Sequence, residues 1–104
     1  MTTRFKPNVV FEPELVDHFA AGAAIVVTCK ETLTRKESIH YGRWTVRLVF
    51  ASGDTRQLVT QRDFNNPRVF RTLNGIASLL AAAGCTQLAI PFAKGAEATN
   101  TRGG

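Results

Sequence analysis

The segment Tyr41–Ala51 has the clearest hydrophobic alternation in the chain, and it constrains the fold more than any other feature. Large apolar side chains occupy alternate positions, and polar ones lie between them: Trp44, Val46, Leu48 and Phe50 against Arg43, Thr45 and Arg47. Because side chains of a β-strand point alternately to its two faces, the pattern predicts a strand with one buried and one polar face. Ser52-Gly53-Asp54 is a turn sequence, and Thr55–Arg62 is the predicted partner strand of a hairpin.

Two elements are predicted before this hairpin. A short helix over Pro13–Ala21 begins with proline and has an apolar stripe on one side. Ala24–Lys30 is rich in β-branched residues and apolar on both faces for most of its length, which is typical of a central strand. Glu31–His40 is polar and charged, so it is either a long loop or the solvated tip of a hairpin. Asn8–Phe11 is compatible with an extended segment.

Two elements are predicted after it. Asn66 caps a second helix whose first residue is Pro67 and whose end is Gly84. Thr86–Phe92 is a final apolar strand. Since the last two strands flank a helix, we expect them to be parallel and joined by a right-handed crossover.

These elements predict one small α+β domain in the order α-β-β-β-α-β, with an antiparallel-rich sheet and helices on one face. The buried strand face is expected to pack against Leu73, Ile76 and Leu80 of the second helix. A length of 104 residues fits a single domain, which we place at residues 1–92. Residues 93–104 are small, polar and Gly-rich, so we predict a disordered C-terminal tail.

The location of the protein is predicted from what the sequence lacks. The longest apolar stretches are shorter than the roughly 20 residues of a membrane span, and no secretory signal is visible. Cys29 and Cys85 lie in apolar runs and form no disulfide framework. We expect a cytoplasmic protein with no membrane contact and two reduced cysteines.

Signatures of catalysis and cofactor binding are absent from the sequence. It has no Gly-rich phosphate loop, no nucleophile elbow and no His-Glu-x-x-His helix. The candidate metal ligands have spacings that match no zinc site: His18, Cys29, His40 and Cys85. The sequence therefore predicts a protein that is not an enzyme and has no metal or cofactor.

Positive charge is concentrated in the middle of the chain. The formal charge is +5, and residues 35–71 hold eight basic side chains against three acidic ones, which accounts for an excess of that size. Arginine is the residue favoured for planar, bidentate contact with phosphate or carboxylate. We therefore predict a nucleic-acid or anion-binding surface made by Arg43, Arg47, Arg56, Arg62, Arg68 and Arg71.

Two pairs of these arginines carry most of that prediction. Arg43 and Arg47 share the polar strand face, although a solvated sheet face would have the same composition. Arg68 and Arg71 fall in the first turn of the predicted second helix, where free N–H groups favour an anion. The alternative there is that Asp63 pairs with one of the two arginines and nothing binds.

The chain also resembles a known family. The resemblance is carried by a Trp-containing strand, a Gly-Asp turn, the helix sequence Arg68-Val69-Phe70-Arg71-Thr72-Leu73 and the strand Gly84-Cys85-Thr86-Gln87-Leu88. This arrangement, over about Phe11–Phe92, resembles the ParC-family partition-associated proteins of broad-host-range plasmids. The resemblance implies a setting, plasmid maintenance in the bacterial cytoplasm, and no reaction or functional residue.

The leading functional prediction is a non-enzymatic accessory protein of plasmid maintenance or partition that contacts DNA or another polyanion through its basic region. The rival is a protein-interaction module, an adaptor or inhibitor, in which the same arginines meet an acidic protein partner. A third alternative is an enzyme or small-molecule binder with an anion pocket at the second helix. The oligomeric state stays open, and a dimer is compatible with each of these.

Overall fold

A computed structural model describes residues 8–102 and has two helices and six strands in that range. In chain order they are β1 (Val9–Phe11), α1 (Glu12–Ala20), β2 (Ala24–Lys36), β3 (Ile39–Val49), β4 (Thr55–Val59), β5 (Phe70–Thr72), α2 (Leu73–Ala83) and β6 (Glu97–Asn100). The predicted α+β class is confirmed. No helix among these residues is both long and apolar enough to cross a membrane.

The strands form one mostly antiparallel sheet in the order β1-β4-β3-β2-β6. The long strands β2 and β3 pair along most of their length, from Ala24↔Val49 to Lys36↔Ile39. Glu37 has a φ of 60° in the two-residue turn between them, so the polar segment after Lys30 is the tip of a hairpin. The other edge of β3 is shared by β4 and, nearer its start, β5.

A single hydrophobic core lies between the two helices and one face of the sheet. The sheet contributes Ile25, Val27, Cys29, Trp44, Val46, Leu48 and Leu58, and the helices contribute Leu15, Phe19, Ile76, Leu79, Leu80 and Ala83. The predicted buried face of β3 is thus confirmed at Trp44, Val46 and Leu48, since each of these side chains is at most 1% exposed. Neither α1 nor α2 lies on the opposite face, which we call the open face.

The predicted start of the second helix is wrong. α2 begins at Leu73, and its N-cap is Thr72, whose Oγ1 accepts a hydrogen bond from the Gly75 N–H at 3.1 Å. Residues before it are extended because buried Phe70 pairs with Trp44 of β3. Asn66 instead donates its side-chain amide to the carboxylate of Asp63.

The predictions for the C-terminal part are also wrong. Residues 86–92 form no strand, so the expected parallel crossover is absent, and the parallel pair is β1–β4. The expected tail instead supplies β6, which lies antiparallel to β2 with Ile25 opposite Asn100. Side-chain bonds hold this polar strand: the Asn100 amide accepts from Ala89 N–H at 2.7 Å and donates to the Ala89 carbonyl at 3.0 Å. Gly103 and Gly104 lie outside the described residues.

Phe50 differs from the other three alternating side chains. β3 ends at Val49, and Phe50 is half-buried at the margin of the core, with the His18 ring at 5.2 Å and the Arg56 guanidinium at 5.0 Å from its ring centre. The buried face of β3 therefore ends at Leu48 and does not include Phe50, although the alternation predicts that it would.

We expect Leu48→Ala to lower the free energy of unfolding by about 2–5 kcal/mol, because it leaves a cavity in a fully buried site. Phe50→Ala should cost less, about 1–2 kcal/mol, since part of its ring already faces water. Urea unfolding followed by Trp44 fluorescence measures both. An equal or larger loss for Phe50→Ala would contradict this placement of the core margin.

Candidate nucleic-acid interface

The open face carries a row of polar side chains across four strands, β4, β3, β2 and β6. The residues of β3 that alternate with Trp44, Val46 and Leu48 and point away from the core are Arg43, Thr45 and Arg47, and exposed Tyr41 lies beyond an irregularity in the pairing of β3 with β5. Register then places Thr28 of β2 opposite Thr45, Glu97 of β6 opposite Thr28, and Gln57 of β4 opposite Arg47. Arg43, Arg47 and Glu97 are partly exposed in this row, whereas Thr45 between the two arginines is buried.

Arg47 is held by a carboxylate two strands away. Its Nη1 donates to Glu97 Oε2 at 2.7 Å and its Nη2 to Oε1 at 3.2 Å, which is a bidentate pair. The Thr28 hydroxyl donates to the same Oε2 at 3.0 Å. These hydrogen bonds from Arg47 and Thr28, together with the nearby charge of Lys30, lower the pKa of Glu97 below its ordinary 4.5.

Arg43 has a carboxylate partner as well, on the neighbouring strand. Its Nη1 lies 3.1 Å from Glu31 Oε2, and the two residues are opposite each other in the β2–β3 register. The Nε of Arg43 is buried without a hydrogen-bond partner among residues 8–102. Arg43 thus binds Glu31 through one of its five N–H donors.

Arg68 and Arg71 precede the N-cap of α2 and do not lie in its first turn, so the predicted position of these two arginines is wrong. Arg68 pairs with Glu12 of α1, and its guanidinium lies 4.6 Å from the centre of the Phe70 ring. Arg71 follows buried Phe70 on β5 and therefore points to the open face, beside Arg43. It is exposed and has no ion pair within the described part of the chain.

The remaining two predicted arginines lie elsewhere. Arg56 is opposite Leu48 in the β3–β4 register, on the helix side of the sheet, where it stacks on Phe50. Arg62 is exposed in the loop after β4. Arg43, Arg47 and Arg71 thus share the open face, whereas Arg56 lies on the helix side and Arg62 and Arg68 lie in the segment between β4 and β5.

The acidic partners were missed because they are distant in sequence. Glu12, Glu31 and Glu97 all lie outside residues 35–71, so the positive balance of that segment did not include them. The shared face of Arg43 and Arg47, by contrast, follows from the period-2 pattern of β3.

The cysteines and histidines do not assemble into a second site. Among residues 8–102, no three His, Cys, Asp or Glu side chains converge as they would around a metal ion. Burial raises the pKa of both thiols above 9.0, and Cys29 also donates to the Glu31 carbonyl at 3.0 Å. Both cysteines are therefore thiols at neutral pH.

Comparison of the chain with protein-family models, with curated proteins and with solved structures gives no match.

The Arg47–Glu97 pair should make stability depend on pH in one direction. Because folding lowers the pKa of Glu97, its contribution to the free energy of unfolding is complete above 4.5 and disappears as the pH falls through the lower, folded value. The difference between wild type and Glu97→Gln should then be largest at neutral pH and vanish in acid. Urea midpoints measured between pH 7 and pH 3 test this, and a difference independent of pH would contradict it.

Thiol labelling of the native protein should be far slower than that of the unfolded chain, since the thiolate is the reactive species. Half-buried Cys85 should react before fully buried Cys29. Mass spectrometry of a timed alkylation resolves the two sites. Native labelling at the unfolded rate would show that one thiol is accessible and activated.

Proposed function

We propose that the protein is a non-enzymatic nucleic-acid-binding protein whose contact surface is the open face of its sheet. The observation that carries the proposal is that three arginines, Arg43, Arg47 and Arg71, lie on a sheet face that neither α1 nor α2 covers, with exposed Tyr41 two residues before Arg43 on β3. Arginine side chains contact phosphates, and an aromatic ring offers a stacking surface for a base.

The charge of this face supports a polyanion as ligand. Lys30, Arg43, Arg47 and Arg71 lie on it or beside it, against Glu31 and Glu97. Two positive charges therefore remain after internal pairing. Arg71, which has no carboxylate partner in the described chain, is the donor that a phosphate reaches without competition.

The shape of the face favours a single strand over a duplex. A strand laid across β5 and β3 places its phosphates near Arg71 and Arg43 while a base stacks on Tyr41. Readout of base sequence has no dedicated element here, because no helix is presented for a groove. The proposed binding is therefore salt-sensitive and weakly dependent on sequence.

The biological setting of the proposal comes from the resemblance to the ParC-family proteins. On this resemblance we propose a role in plasmid maintenance or partition in the bacterial cytoplasm, as an accessory that holds nucleic acid and catalyses no step. Neither a metal nor a cofactor enters this role.

A second function is favoured by a different part of the molecule. The end of the β2–β3 hairpin, Thr34–Tyr41, exposes Ile39 at 46% and borders a groove of about 620 Å³ against the start of α2. Leu73 and Ala77 give the groove an apolar wall, and Arg35 and Lys36 lie at the tip of the hairpin. A protein partner with an acidic, partly apolar segment would fit this surface, as in the adaptor interpretation.

Titration of labelled single-stranded and duplex oligonucleotides at several salt concentrations tests the proposal. Arg71→Gln should weaken binding and reduce the log–log salt slope by about one. Tyr41→Ala should weaken single-strand binding by about 1–3 kcal/mol and duplex binding little. Arg62→Gln removes the same charge from the loop after β4, outside the strands of the sheet, and serves as the matched control.

Absence of binding by the wild type at low salt would overturn the proposal and favour the protein-interaction function. An equal loss for Arg62→Gln and Arg71→Gln would also contradict it, because general charge rather than the open face would then determine affinity.

A further inference from the structure

Three donors of the open face converge on one carboxylate. Arg47 contributes both terminal nitrogens of its guanidinium to Glu97, at 2.7 and 3.2 Å, and Thr28 contributes its hydroxyl at 3.0 Å. The guanidinium and the hydroxyl are themselves adjacent, with Arg47 Nη1 3.4 Å from Thr28 Oγ1. A fork of two parallel N–H donors with a neighbouring hydroxyl is also a set of donors that suits two oxygens of a phosphate.

We infer that Arg47 and Thr28 form a phosphate site, and that the Glu97 side chain occupies this site in the free protein and leaves it when nucleic acid binds. The inference rests on the proposed function, because the ligand is the phosphate backbone of the same strand. It assigns Glu97 the role of an internal competitor.

Glu97 can leave the site without unfolding β6. It is the first residue of that strand, and its side chain is 46% exposed, so rotation about its own bonds is enough to move the carboxylate into water. The backbone of β6 stays paired with β2 through the other register positions, and Asn100 holds the far end to Ala89 and Ile25. An exposed ion pair is weak enough to be exchanged for another anion.

The competitor should discriminate between ligands. A free phosphate or a mononucleotide must displace Glu97 with a single contact, against a carboxylate tethered within reach of Arg47. A polymer that already contacts Arg71 and Arg43 brings its next phosphate to Arg47 at a comparable effective concentration. Glu97 therefore favours strands over isolated phosphate groups.

Affinity for a labelled single-stranded oligonucleotide, measured in a double-mutant cycle, tests the inference. Glu97→Gln should bind about two- to fivefold more tightly than wild type, the range set by an exposed ion pair. The gain should disappear in the Arg47→Gln background, where no site remains to be released. Inorganic phosphate should compete better against Glu97→Gln than against wild type.

Asp17→Asn is the matched control, since it removes one negative charge from α1 on the helix side of the sheet. Any gain it causes is a long-range effect, and it should be equal with and without Arg47. Thr28→Val keeps the β-branched shape and should reduce the gain of Glu97→Gln, which separates the proposed site from general charge. Circular dichroism verifies that each variant is folded.

The outcomes separate this inference from the function on which it rests. Wild-type binding combined with no greater gain for Glu97→Gln than for Asp17→Asn overturns the inference alone. A Glu97→Gln gain that persists in Arg47→Gln also overturns it. Failure of both wild type and Glu97→Gln to bind any oligonucleotide overturns the proposed function together with the inference.

Discussion

The burial of Trp44 is the constraint on which the arrangement of the sheet depends. Its ring is fully buried, and register places it between Cys29 of β2 and Phe70 of β5. The indole N–H donates to the Pro91 carbonyl at 2.8 Å, which fixes the segment after α2 against the sheet. Gly42 leaves the space for the ring, because a Cβ there would lie 2.8 Å from the indole. One side chain thus joins two neighbouring strands and the chain that leads to β6.

Because the helices cover only one face of the sheet, side chains of the open face both stabilise the pairing of strands and remain accessible to a ligand. Side chains there must find partners across the strands, and Arg43 and Arg47 find them in Glu31 and Glu97. The same pairs reduce the charge that a ligand meets, so the number of arginines overstates the positive potential of the face. Electrostatic pairing within the sheet and recognition of an anion therefore draw on the same donors.

The sequence predicts an element correctly where local or periodic contacts determine its structure. It fails where pairing with a strand distant in sequence determines the structure. Alternation located the buried face of β3, and Gly84 located the end of α2, where its φ is 108°. Asn66 and Pro67 have the residue types of a helix start, but pairing of Phe70 with Trp44 keeps the next residues extended and moves the cap to Thr72. Local propensity is overridden there by burial of an aromatic side chain.

Only the part of the candidate site that lies on β3 could be predicted from the sequence. Arg43 and Arg47 share a face by period alone, whereas Arg71 reaches that face through β5, an element hidden by the false helix start. Glu97 lies in a stretch with the composition of a disordered tail, and its strand depends on side-chain bonds from Glu97 and Asn100 rather than on apolar residues. Amino-acid composition predicts order from the content of apolar residues, so it does not predict a strand that is held by side-chain hydrogen bonds.

The position of β6 after all other described elements has a kinetic consequence. The β2–β3 hairpin closes over a two-residue turn, while the contact between Asn100 and Ile25 spans 75 residues. Long loops lose more entropy on closure, so we expect the hairpin to form early and β6 to dock late in folding. A nascent chain would then form the strands that carry the three arginines before β6 is synthesised, and Arg47 would until then be without its partner Glu97. Pulse-labelled amide exchange during refolding measures this order. The topology requires the Ala98 amide to become protected after the Val27 amide.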